Sequence, residues 1–96
     1  MTLAISMPLF AEEAEKEQVS CEQVEVMART IMKARQANVS ASEVMKVVKD
    51  SDLMISMTVA AYKTPKFSVN ANKTDAVDSF ANKWFMTCYE IKEKGE

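Results

Sequence analysis

Between Ser68 and Ile91 the apolar residues recur in steps of three and four: Val77, Phe80, Ala81, Trp84, Cys88 and Ile91. That spacing keeps them on one face of an α-helix. The run is the longest periodic stretch in the chain, and it holds the single Trp and one of the two cysteines. Every other element is expected to lie against this stripe. Ser68 is the expected N-cap, with Asn70 and Asn72 as later starts. Lys92 and Lys94 near its end suit the negative pole of a helix.

The N-terminal half carries a second set of helix signals. Ser20 followed by Gln23 has the form of a capping box and opens a helix over about residues 21–37. Cys21, Val24, Ala28 and Ile31 make its stripe, widened by Met27 and Met32. Asn38 suits the left-handed residue that ends a helix, and Val39 the apolar contact that accompanies it. Ser40-Ala41-Ser42-Glu43 is a second capping box and predicts a short helix over about residues 41–49, with Val44, Met45, Val47 and Val48 as its apolar positions. Asp50-Ser51-Asp52 breaks the chain, and either Ser51 or Asp50 can cap a third helix over about residues 52–63. Leu53, Met57, Ala60 and Ala61 are expected inside it, with Ile55, Val59 and Tyr62 on an adjoining face. Thr64-Pro65 ends it, because the residue before a proline is pushed out of the α region. Phe67 anchors the connection to the last helix.

The pattern predicts an all-α fold, a small bundle of about four helices stapled by one disulfide, with the single domain spanning residues 20–94. The expected core is Val24, Ala28 and Ile31 from the first helix, Leu53 and Met57 from the third, and Val77, Phe80 and Trp84 from the last. Composition agrees. With 96 residues there is room for one domain. One Gly and two Pro are too few for a turn-rich β fold.

Charge removes two partner classes. Fourteen acidic and twelve basic residues are well mixed, for a net charge of −2, and no basic stripe points to nucleic acid. No apolar run reaches the roughly 18 residues of a membrane span. Residues 1–11 are uncharged in their side chains and mostly apolar, and Glu12-Glu13-Ala14-Glu15-Lys16-Glu17 follows at once. This switch resembles the end of a secretory signal peptide. No Lys or Arg precedes the apolar run, so the expectation is a remnant, truncated at the start, followed by a flexible charged leader over residues 12–19. The compartment implied is the periplasm. There Cys21 and Cys88 are expected to pair. Closing a loop of nearly seventy residues removes about 4 kcal/mol of chain entropy from the unfolded state. The bond joins the start of the first helix to the end of the last, so the two run antiparallel or cross steeply.

Catalytic chemistry finds little to work with. The chain has no His, which excludes the hydrolase triads. Asp75 with Asp78 and Asp50 with Asp52 pair carboxylates, but on a solvated helix face and in a turn. Met54 and Met57 form an M-x-x-M pair that could offer thioethers to Cu(I), yet no other soft ligand stands with them. The expectation is therefore no enzyme, no metal site and no cofactor. Eight methionines are many for this length, and they suit either core filling or an adaptable binding surface. Arg29, Lys33 and Arg35 with Lys46 and Lys49 make a modest basic face, read as solvated charge. Asn38-Val39-Ser40 and Asn72-Lys73-Thr74 match the glycosylation pattern, which arises often by chance.

Cys21-Glu22-Gln23, Ile31-Met32-Lys33-Ala34-Arg35-Gln36, Ala61-Tyr62 with Pro65, and Trp84 followed by Cys88 resemble a group of short exported two-cysteine helical proteins of bacteria and their prophages. The resemblance spans about seventy residues and implies export, a helical fold and no known activity. In size, cysteine count and export the chain also looks like the periplasmic acid-stress chaperones of the HdeA type and the immunity proteins of type VI secretion, by analogy alone. The function expected is a periplasmic, non-catalytic protein-binding protein of inhibitor, immunity or chaperone type. An accessory of envelope or phage assembly is the alternative. The expected partner is another protein or a second copy of the chain, with no nucleic acid and no stable membrane span.

Overall fold

The computed structural model describes residues 19–95. The expected signal remnant, and the leader as far as residue 18, lie outside the described residues. The fold is all-α, with four helices: α1 (Cys21–Gln36), α2 (Ala41–Val48), α3 (Asp52–Tyr62) and α4 (Asn70–Gly95).

The caps are those the sequence encodes, with one exception. At α1 the box is complete: Ser20 Oγ accepts from the Gln23 backbone N–H, and Gln23 Oε1 accepts from the Ser20 N–H. Asn38 sits at φ 73°, the only positive φ among the described residues. The Val39 N–H reaches the Ala34 carbonyl at 3.0 Å and the Asn38 N–H the Arg35 carbonyl at 3.2 Å. Together these form a Schellman motif, which satisfies two of the carbonyls that a helix end leaves free. At α2 half of the expected box forms: Ser40 Oγ accepts from the Glu43 N–H without a return bond from the Glu43 side chain; at α3 the cap is Ser51, which accepts from the Met54 N–H. The exception is α4. It begins at Asn70 rather than Ser68, with its first turn closed by the Lys73 N–H on the Val69 carbonyl at 3.0 Å. Upstream bonds explain the shift. Gln36 holds the Pro65 carbonyl and the Phe67 N–H, so the chain stays non-helical past Phe67.

α1 is the shared partner. α4 and α3 both pack on it and α2 packs on α3, while the backbones of α3 and α4 stay apart and the two helices are joined through side chains of the shared core, Met57 and Ala61 with Val77 and Phe80. Three links set α1 and α4 antiparallel and in register. The Cys21–Cys88 disulfide, with its Cα atoms 5.6 Å apart, joins the start of one to the end of the other. Arg29 Nη1 meets Asp78 Oδ1 at 2.6 Å halfway along, and Lys73 Nζ donates to the Gln36 carbonyl at 2.8 Å at the far end. The same register sets Ala28 level with Ala81, and both are fully buried. Two alanines at this level leave no side-chain bulk between the backbones.

Val24, Ala28, Ile31, Met57, Val77 and Phe80 are buried in one cluster with Met32 and Ala61. Two expected core residues are not. Leu53 and Trp84 are half-buried at its margin. Ile91 continues the α4 stripe but is 64% exposed. The register gives the reason: α1 starts level with Cys88, so nothing from α1 reaches the next turn. Val47, an expected apolar position of α2, is 82% exposed for a similar reason, since α2 offers only Val44 and Val48 to the core. In α3 the expected adjoining residue Val59 is exposed, and Thr58 takes the inward place. Its hydroxyl donates to the Met54 carbonyl at 2.8 Å, which satisfies a buried polar group locally.

Candidate binding groove

Because the backbones of α3 and α4 stay apart, the side chains that fill the core between them leave a trough at the surface. On the α4 side, Phe80 and Trp84 form the wall, their ring centroids 6.1 Å apart and their planes tilted by 57°. Ala60 and Thr64 face them from the α3 side, and Met32 of α1 lies deep in the gap. Phe67 closes one end. The space divides into two adjoining parts of about 500 and 260 Å³, which share Thr64, Phe80 and Lys83. An open, mostly apolar trough of this size with a few polar groups at its edge is the ordinary form of a recognition site.

The end wall is held by side chains of α1. Gln36 is buried, and all of its amide is used. Nε2 donates to the Pro65 carbonyl at 2.9 Å, and Oε1 accepts from the Phe67 N–H at 2.9 Å. Beside it, Arg35 Nε donates to the Thr64 carbonyl at 2.9 Å while its guanidinium lies 5.2 Å from the centroid of the Tyr62 ring. The Tyr62 hydroxyl in turn donates to the Val39 carbonyl. Burial raises the Tyr62 phenol above its ordinary value, with the Arg35 charge pulling the other way. One turn of α1 thus pins the connection from Thr64 to Phe67 at three backbone atoms, and Arg35 also meets the Tyr62 ring at the end of α3. The sequence resemblance included Arg35 and Gln36, but nothing in their spacing announced this clamp. A glutamine that falls on the inward side of a stripe is the signal that was available.

The charges at the groove differ from those at the seam. A second cleft, of about 380 Å³, runs along the other side of α1 and α4, lined by Arg29, Lys33, Lys73 and Asp78. Its charges are used internally. Arg29 bonds Asp78 and also Glu25 at 3.3 Å, and these carboxylates raise its pKa further, Asp78 most. Lys73 is tied to Gln36. In the α3–α4 groove, Lys83 and Asp75 line the walls, and neither has a salt-bridge partner among the described residues.

The other expected sites disperse. Met57 is fully buried and Met54 half-buried, so the M-x-x-M pair belongs largely to the core. Asp78 is committed to Arg29, while Asp75 stands apart on the groove. Asp50 and Asp52 flank the Ser51 cap and are exposed. Of the basic face, Arg29 and Arg35 have the structural bonds above, and Lys33, Lys46 and Lys49 are solvated. Asn38 is exposed at the helix end, and Asn72 lies at the groove edge. Among the described residues there is no cluster of three or more His, Cys, Asp or Glu that could hold a metal ion, and no helix is long and apolar enough to cross a membrane. Comparison with protein-family models, with curated proteins and with solved structures returns no match.

Proposed function

We propose that this chain is a small, non-catalytic protein-binding protein of the periplasm, of inhibitor, immunity or chaperone type, and that it binds through the α3–α4 groove. The observation that carries the reading is the half-buried Trp84 beside Phe80 on the wall of an open apolar trough. Tryptophan in such a place is typical of an interface anchor, because it offers a large apolar area at low entropic cost. The disulfide supports an oxidising compartment. The absence of His, and carboxylates that stand apart or in ion pairs, leave no assembled acid–base pair among the described residues to support catalysis.

Site-specific photo-crosslinking in a periplasmic extract tests the reading. A photoreactive residue at Thr87, inside the groove, should yield a discrete protein adduct that disappears with Trp84→Ala. The same residue at Val47, which is remote and 82% exposed, should yield none. Identical adducts from both positions, or none from Thr87, would overturn it. Among the three types, a chaperone of acid stress is separable from the others: at about pH 2–3 it should keep an acid-sensitive client from scattering light, as carboxylate protonation loosens the bundle.

A second reading, an accessory of envelope or phage assembly, is favoured by one separate feature. The last turns of α4, around and beyond the level where α1 starts, carry Met86, Tyr89 and Ile91 at 45%, 51% and 64% exposure. Under this reading Ile91→Asp would abolish assembly and leave adducts at Thr87 intact.

A further inference from the structure

We propose that the α3–α4 groove takes an amphipathic helical segment of a partner protein that carries carboxylates beside its apolar stripe. The inference rests on the protein-binding reading and adds the chemistry of the ligand.

Shape argues for a helix. The groove follows α4 from Asn72 to Thr87. At 1.5 Å per residue that is roughly 22 Å, the length of about four helical turns. Its walls come from α4, from Thr64 and Phe67 of the connection, and from Ala60 near the end of α3. A helix laid there packs along α4 and against the end of α3, with apolar residues at i, i+3, i+4 and i+7 reaching Phe67, Ala76 and Trp84 over a floor closed by the buried Met32 and Phe80. An extended strand has no sheet edge to join, since the described residues are helical or loop.

Charge argues for acid. Lys83 stands where the two parts of the groove meet and lines both. Lys63 and Lys66, both exposed, flank Thr64, which also lines both parts. Asp75 is the single acidic residue on the walls, two turns of α4 away from Lys83. None of these four charges except Asp75 repels a carboxylate, and Lys83 has no salt-bridge partner among the described residues. A ligand with carboxylates near its middle therefore meets Lys83, with the exposed Lys63 and Lys66 on the connection beside Thr64, and one with a basic residue toward the Asn72 end also meets Asp75. Such rim charges set partner choice and encounter rate more than total affinity.

The test uses two synthetic 15-residue peptides with the same leucine stripe, one with glutamates on its polar face and one with lysines. Trp84, the only tryptophan, reports occupancy through its fluorescence, and calorimetry gives the affinity. The glutamate peptide should bind about tenfold more tightly at low salt, a gap that narrows at high salt. Lys83→Glu should reverse the preference, and Lys66→Glu should reduce it; both residues are exposed, and far-UV circular dichroism checks that the variants fold. Equal or tighter binding of the lysine peptide to the wild-type chain would overturn the acidic preference and leave the groove as a binding site. If neither peptide shifts Trp84 or releases heat, the helical-ligand inference and the groove reading both fall.

Discussion

α4 has two flanks, and they have been treated differently. Toward α1 it is closed: a disulfide at one end, an ion pair in the middle, a lysine-to-carbonyl bond at the other end, and alanines at the same level between them. Toward α3 it is open. Beside the buried Phe80, Trp84 is only partly covered and lines a trough, and Lys83 on the same trough is left without a salt-bridge partner among the described residues. The two flanks share one helix and one apolar stripe. What separates them is how the partners are distributed. A four-helix chain in which one helix takes both long neighbours leaves those neighbours apart. The seam is where the fold holds itself together, and the gap is where it has surface left to offer.

The comparison can be broken first at the seam. Replacing both cysteines by serine should cost about 4 kcal/mol, because the bond closes a loop with a sequence separation of 67. Urea melts of the variant and of the oxidised wild type measure this directly, and a difference under about 1 kcal/mol would show that the helices' own packing carries the seam.

A pair of truncations then compares the closed side with the open one. Met57 is fully buried, so Met57→Ala should cost about 3 kcal/mol. Trp84→Ala, despite removing more atoms, should cost only about 2 kcal/mol, since the ring is only partly covered at the margin of the core. The binding assays should invert that order, with Trp84→Ala the more damaging. If the Trp84 variant proves the less stable of the two, the ring is core and the groove loses its anchor.

Much of this was legible in the chain. Capping residues act through their neighbours three positions away, so Ser20, Ser40 and Ser51 placed three helix starts correctly. The cysteine pairing followed from the even count and the export expected from the sequence. Periodicity, however, reports a face and not its cover. Ile91 is in phase with Cys88 and still exposed, because the coverage depends on where α1 begins. Trp84 is in phase with Phe80 and only partly covered, because it lies at the margin of the core where Ala60 and Thr64 leave a trough. α3 itself is apolar nearly all round, so no spacing could rank Thr58 above Val59. The Gln36 clamp was illegible for another reason: its partners are backbone atoms 29 and 31 residues away, which carry no side-chain identity to read.

That clamp offers the next smaller effect. Gln36→Met keeps the volume but leaves the Pro65 carbonyl and the Phe67 N–H unmet, at a cost of about 1–3 kcal/mol. Hydrogen exchange should speed up at Phe67 and at the start of α4, while the centre of α1 stays protected. A uniform increase along α1 would mean that Gln36 supports the seam and not the groove end.

The smallest effect belongs to Tyr62. Its phenol is raised by burial, so the folded state holds the proton more tightly than the unfolded state does. The resulting stabilisation is fully present below about pH 10, the ordinary tyrosine value, and is lost as pH rises through the folded value. Tyr62→Phe should flatten that alkaline loss while giving up the bond to Val39 at neutral pH. Melts between about pH 8 and 11 compare the two slopes, and parallel curves would show that the phenol titrates freely.

The difference between the two flanks is tested most directly by hydroxyl-radical footprinting read by mass spectrometry. In the free protein Met86 should label fast, Trp84 and Phe67 at an intermediate rate, and Met32 and Met57 very slowly, in the order of their exposure. Adding the glutamate peptide should protect Trp84 and Phe67 and leave Met86 unchanged. Trp84 as protected as Met57 in the free protein, or protection by the peptide that falls on Met86 instead, would contradict an open groove between α3 and α4.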